Sequence, residues 1–150
     1  MRLSKKTLFA VEAVLDIAYH AGGTAVQSRE ITRRQGIPRR YLEQALQQLV
    51  RDGVLVGVRG PKGGYRLARE RRRISLGDVV RSVRRIEDAD DPLAGHAGSS
   101  LGQRVVRPVW AELQEAFMAR LDAITVDDLC LRAHQAGIES EGRKHLDFTI

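Results

Sequence analysis

Apolar residues recur along the chain at helical spacing, and short glycine- or proline-marked turns interrupt them. Ser4 is placed to cap a helix running to about His20, with Leu8, Val11, Leu15 and Ala18 on one face. Gly22-Gly23 is expected to end it, because glycine takes the left-handed conformation after a helix without penalty. Ser28 is placed to cap a short second helix with Glu30 in its first turn, and Gly36 closes it. Pro38 then marks the start of a third helix reaching about Asp52. There Leu42, Ala45, Leu46, Leu49 and Val50 form a buried stripe, while Arg40, Gln44, Gln47 and Arg51 fall on the opposite face.

Val54–Val58 reads as a strand, Arg59-Gly60-Pro61-Lys62-Gly63-Gly64 as a turn, and Tyr65-Arg66-Leu67 as a second strand. The glycines of that turn let the backbone approach a partner closely. Two short helices joined at a glycine, followed by a basic hairpin, describe a winged helix-turn-helix. Ser75 heads a fourth helix with Val79, Val80 and Val83 inward, ending near Arg85. Residues 87–104 form one long irregular segment, of the kind that is functional or disordered when it occurs in a compact domain. Beyond it, Val106, Trp110, Leu113, Phe117, Leu121 and Ile124 recur at a nearly heptad period, which predicts a long amphipathic helix. Thr125 and Asp128 open a last helix as a capping box, and the polar tail from about Gly137 is expected to fray. The fold class is therefore mainly α, with a small β part (α+β). Residues 1–86 make the winged helix-turn-helix domain and 87–104 a loop suited to effector control. Residues 105–136 hold the dimerisation helix and the final helix, and 137–150 the tail.

Charge sharpens this picture. Residues 29–73 hold 13 Arg/Lys against 4 Asp/Glu, whereas residues 86–150 hold 6 against 12, within a chain of net charge +6. A basic stripe of this density is the footprint of a polyanion binder, with the acidic part facing away. The N-terminus lacks the apolar core of a secretory signal, and no apolar run approaches the ~20 residues of a membrane span. One cysteine, Cys130, excludes an internal disulfide and fits a reducing compartment, so a cytoplasmic location is expected.

Candidate DNA contacts follow from groove chemistry. Arg39, Arg40, Tyr41, Glu43 and Gln44 stand in the first turns of the third helix, the part that enters the major groove in this motif. Arginine can pair with guanine, glutamine with adenine, and a glutamate can accept from cytosine. Glu43 is thus either a base discriminator or a residue that points away. Arg59 suits minor-groove insertion, Lys62 and Gly63 complete the wing tip, and Ser28 with nearby backbone amides can hold a phosphate. Val106, Trp110, Leu113, Phe117, Leu121 and Ile124 can either cover the winged domain or pair with a second copy. The second use is favoured because three helices already close the domain. A dimer would read two half-sites of a palindromic double-stranded operator.

Catalysis finds little support. His20, His96, His134 and His145 are scattered, with no metal-ligand or triad spacing, and read as surface residues. Gly60–Gly64 lacks the Gly-Lys-Ser/Thr end of a phosphate-binding loop. Cys130 reads as a small buried thiol rather than a redox sensor. An interaction module that docks a partner enzyme, or a regulator with a non-standard metal site, remain the alternative functions.

Met1-Arg2-Leu3-Ser4, Gln35-Gly36-Ile37-Pro38, Tyr41-Leu42-Glu43-Gln44 and above all Val58-Arg59-Gly60-Pro61-Lys62-Gly63-Gly64-Tyr65 resemble the IscR/NsrR/CymR-type transcriptional regulators, the Rrf-two family. The resemblance covers about residues 1–136. It implies a winged-helix homodimer whose long fifth helices cross, and it puts Tyr41, Glu43, Gln44 and Arg59 where that family contacts DNA; with the basic helix-turn-helix and wing, a repressor or dual regulator is expected. Many members hold an iron–sulfur cluster on three loop cysteines; the corresponding positions here are Pro92, Gly98 and Arg104, and Arg107 replaces an expected histidine. The resemblance therefore implies a cluster-free regulator that answers to a protein partner, to a small molecule, or to nothing directly.

Overall fold

The structure, a computed structural model, describes residues 3–85, 93, 95 and 98–142. Among these residues six α-helices and one hairpin follow in order: α1 Lys5–His20, α2 Ser28–Gln35, α3 Arg39–Arg51, β1 Leu55–Val58, β2 Gly64–Leu67, α4 Leu76–Arg84, α5 Arg107–Asp122 and α6 Val126–Gln135. The strands are antiparallel, with Leu55 opposite Leu67 and Val58 opposite Gly64. Val26 adds a third, one-residue edge by exchanging backbone hydrogen bonds with Tyr65 at 2.9 and 2.8 Å.

Local signals set most helix ends. Ser4 Oγ accepts from the Thr7 amide at 3.1 Å. Ser75 and Thr125 form capping boxes with Asp78 and Asp128. These two boxes lie side by side, joined by Leu76 N–H to Ile124 and Val126 N–H to Ile74, both 2.8 Å. Three details differ from the sequence expectation. The second helix is capped one residue earlier, at Gln27, whose amide donates to the Glu30 carboxylate at 2.8 Å; Ser28 is its first helical residue. After α1 only Gly23 is left-handed, at φ +85°; Gly22 is small because a Cβ there would lie 2.7 Å from the Gly142 carbonyl oxygen. The third is Val50, which is exposed, while Leu42, Ala45, Leu46 and Leu49 are buried as anticipated.

The core is drawn from α1, α2, α3, β1, α4 and α6, with Ile17, Ile31, Ile37, Leu46, Leu49, Leu55 and Val83 fully enclosed. The inward face of α1 is Ala10, Ala13, Val14 and Ile17; Val11, Leu15 and Ala18 only flank it, and Leu8 is exposed. Small residues suit that face because several helices crowd against it. Val126 and Cys130 of α6 belong to the same core, so the last helix returns to the winged unit rather than extending the α5 segment.

Helical structure starts at Ser100, earlier than the expected loop boundary at 104, and passes through one π-helical turn at Gly102–Val106 before α5. Pro108 has no amide to give the carbonyl four residues back, which accounts for a wider turn at this point. The C-terminal end of α5 is bound to α4 by Arg81, which donates to Asp122 at 2.8 and 2.6 Å. The segment after α6 does not fray as expected over 138–142. Ser140 donates to the Tyr19 carbonyl at 2.6 Å, the Tyr19 hydroxyl donates to the Ile138 carbonyl, and Glu141 meets Arg33 and Arg34. The rest of the expected tail, 143–150, lies outside the described residues, as do His96, His145 and most of the 87–99 loop. No helix among the described residues is long and apolar enough to cross a membrane.

Candidate nucleic-acid interface

The amphipathic pattern of α3 decides which side chains reach solvent. Burying Leu42, Ala45, Leu46 and Leu49 leaves Arg39, Arg40, Tyr41, Glu43, Gln44, Gln47 and Arg51 exposed. Five of these are the contacts expected from sequence, and all five occupy the first two turns of the helix. Glu43 is not free: Arg39 Nε donates to it at 2.9 Å, four residues apart on one face. Arg40 has no acidic partner among the described residues, so α3 presents a net positive end. Tyr41 is 40% exposed and stacks on Phe9 of α1, with ring centroids 6.5 Å apart.

The wing is tied to the start of α2. Besides the Val26–Tyr65 pairing, Gln27 Nε2 donates to the Pro61 carbonyl at 3.3 Å, which brings Ser28 beside the wing turn. That turn closes with Gly63 N–H donating to the Gly60 carbonyl at 2.9 Å. Arg59 and Lys62 are exposed at its tip and form no ion pair among the described residues. Gly63 is different. It is buried, and a Cβ there would lie 2.3 Å from the Val58 carbonyl oxygen, so it shapes the turn and offers no surface of its own. Ser28, the α3 residues, Arg59 and Lys62 therefore remain as the exposed or half-exposed set.

Behind this surface α2 is held by a buried acid. Asp16 of α1 accepts from Arg34 Nε and Nη2 at 2.8 Å each, and from Gln35 Nε2 at 2.8 Å. Asp16 is 2% exposed, and the hydrogen bond to it leads the causes that raise the Arg34 pKa above its usual range. Sequence periodicity gave no sign of this pair, because its members stand 18 residues apart. His20, expected at the surface, is half-buried and accepts from the Glu141 amide at 3.1 Å; burial holds its pKa below the ordinary value.

The residues expected to form a pairing face divide. Val106, Trp110 and Leu113 are exposed, and Leu101, Val105 and Val109 join them in the exposed apolar set. Phe117 and Ile124 are half-buried, and Leu121 is already 9% exposed within the single chain, at the end of α5 that meets α4. In the loop segment, Arg107 donates to the Leu93 carbonyl at 3.3 Å and to the Gly95 carbonyl. Gly98 lies at a bend, Arg104 is an exposed cation, and Pro92 lies outside the described residues. Cys130, 3% exposed in the core, has its thiol pushed up by burial.

The Rrf2 family model, described as an iron-dependent transcriptional regulator, matches residues 3–132. The HTH-type transcriptional regulator IscR of Pectobacterium carotovorum subsp. carotovorum is 37% identical over 130 residues, covering 86% of this chain and 79% of that protein. Among solved structures, T. potens IscR superposes with a TM-score of 0.73 at 32% identity, covering 93% of each chain. Staphylococcus aureus CymR in its oxidized form gives a TM-score of 0.66 at 25% identity, over 87% of this chain and 96% of that one. The family match spans the helix-turn-helix, the wing, α5 and most of α6, and the chain belongs to the Rrf2 family of transcriptional regulators, which are not enzymes.

Proposed function

We propose that this regulator acts in the cytoplasm as a homodimer that represses by binding a palindromic operator in double-stranded DNA. The observation that carries this reading is one basic surface built from two elements. Arg40, Tyr41 and Gln44 on α3 and Arg59 and Lys62 on the wing are all exposed, and the Gln27–Pro61 hydrogen bond ties the wing to the helix-turn-helix. An α-helix fits the major groove and an arginine at a wing tip fits the adjacent minor groove. Pairing is supported by the exposed row Leu101, Val105, Val106, Val109, Trp110 and Leu113, an apolar patch of the kind that marks an association surface.

We further propose that it works without an iron–sulfur cluster, although its family model carries iron in its description. The donor set does not fit such a group. Gly98 has no side chain, Arg104 and Arg107 are cations, and thiolate ligation needs cysteines at such positions. Arg107 Nη1 already donates to the loop carbonyls of Leu93 and Gly95, and Cys130 is enclosed in the core. Control by a protein or small-molecule effector at residues 87–104 completes the reading.

Fluorescence anisotropy with a labelled palindromic duplex and a scrambled competitor tests it, using protein purified without oxygen and assayed for iron in the same sample. A colourless, iron-free dimer with clear preference for the palindrome is expected. Equal affinity for both duplexes overturns sequence-specific binding, and a coloured, iron-bearing protein overturns the cluster-free part.

A further inference from the structure

The ring of Tyr41 meets two residues of the first turns of α1. Phe9 stacks beneath it, with an interplanar angle of 27°, and Lys6 Nζ stands 5.2 Å from its centroid. This places an ammonium group from outside the helix-turn-helix against the leading end of α3. Lys6 is exposed and forms no ion pair among the described residues. A lysine free in solvent samples many rotamers, whereas an aromatic face within about 6 Å attracts the cation and narrows that range. Near this end of α3, Arg39 is compensated by Glu43, whereas Arg40 and Lys6 have no acidic partner among the described residues.

We propose that Lys6 is a phosphate contact at the flank of the α3 groove site, with Tyr41 as the strut that positions its ammonium. The proposal rests on the DNA-binding reading above and extends it to α1. A cation beside a groove-reading helix, reaching it from a neighbouring element, addresses phosphate oxygens rather than base edges. Lysine suits that task as a compact charge with three rotatable donors. The contact therefore adds affinity without sequence preference.

The test is the salt dependence of binding by full-length wild type, Lys6→Ala, Lys6→Arg and Lys5→Ala on palindromic and scrambled duplexes. Loss of one phosphate contact lowers the slope of log K against log salt by about one. Lys6→Ala is expected to show that change on both duplexes, with affinity down roughly fivefold at moderate salt, and Lys6→Arg to restore it. Lys5, the adjacent lysine with no ring against it among the described residues, is the charge-matched control and is expected to change the slope less. Equal effects of the two lysines, or an unchanged slope in Lys6→Ala, overturn the assignment. In a Tyr41→Leu background Lys6→Ala should matter less; an undiminished effect removes the strut. Because the slope is read on scrambled DNA too, a wild type lacking palindrome preference would overturn sequence specificity while leaving the Lys6 outcome readable.

Discussion

Gly64 answers both to its own backbone angle and to the strand edge at Val26. Its φ of +148° lies in the range that disfavours a side chain, and a Cβ would stand 2.4 Å from the Val26 carbonyl oxygen. The strand edge at Val26 must come this close because it pairs with Tyr65, the next residue. Alanine here meets both strain and backbone atoms that cannot swing aside, so Gly64→Ala should cost about 2 kcal/mol or more. Urea denaturation reads that cost as a lower midpoint, and loosening of the wing from α2 should weaken DNA binding in parallel. An unchanged midpoint would show that the edge pairing gives way freely. The glycines were legible in the sequence, but their purpose was not. The run suggests close approach by an outside partner, whereas Gly63 and Gly64 are used up on the carbonyls of Val58 and Val26. A sequence shows that a Cβ is missing; only the fold shows what would have met it.

At the scale of elements, the ends of helices were readable because they are written within four residues. Ser4, Ser75 and Thr125–Asp128 cap where expected, and Gly36 closes α2 at φ +66°. Faces were less readable. A helix such as α1 packs on several neighbours at once, so its flanking apolar row (Val11, Leu15, Ala18) looks as convincing as the small-residue face that is buried. In α5 a strict heptad count includes Leu121, already buried where α5 meets α4, and omits the exposed Val109, while the wider turn at Gly102–Val106 offsets only the residues ahead of α5, Val105 among them. Leu113, 57% exposed in the single chain, lies in the unshifted part and makes the cleaner probe. Leu113→Glu adds a charge to a face that must desolvate on pairing, a change that costs several kcal/mol when the charge stays unpaired. Sedimentation velocity should show the variant as a monomer where the wild type is a dimer, with little change in helix content. Operator affinity should drop with it, because two half-sites can no longer be held together. A Leu113→Glu protein that stays dimeric would move the pairing face elsewhere.

Over the whole molecule, the chain closes on itself where polarity gave no warning. Residues 138–142 have no apolar period, yet they dock on α1 and α2 through Tyr19, His20, Arg33 and Arg34. The Asp16–Arg34 pair inside and Glu141 outside share one guanidinium, so the tail reports on the position of α2. His20 makes this closure depend on pH. Its Nδ1 must be unprotonated to accept from the Glu141 amide, and the charges facing it are Asp16, Glu141, Arg33 and Arg34. Burial is the largest influence and the net effect lowers its pKa from the ordinary 6.5. A group with a depressed folded pKa binds protons more readily when unfolded, so stability rises with pH across that interval. The contribution is present above about 6.5 and is lost as pH falls through the lower folded value. Glu141 adds a separate, more acidic limb. Burial alone would raise its pKa, but Arg34 and Arg33 outweigh this and hold it below the ordinary 4.5. His20→Asn separates the two, because the amide oxygen can still accept from Glu141 N–H but does not titrate. Wild-type urea midpoints should fall between about pH 7 and 5, together with a lower protection factor of the Glu141 amide against exchange, whereas His20→Asn should be flat over that range. If the variant kept the wild-type slope, His20 would not be the titrating latch, and the tail would be held by the arginines alone.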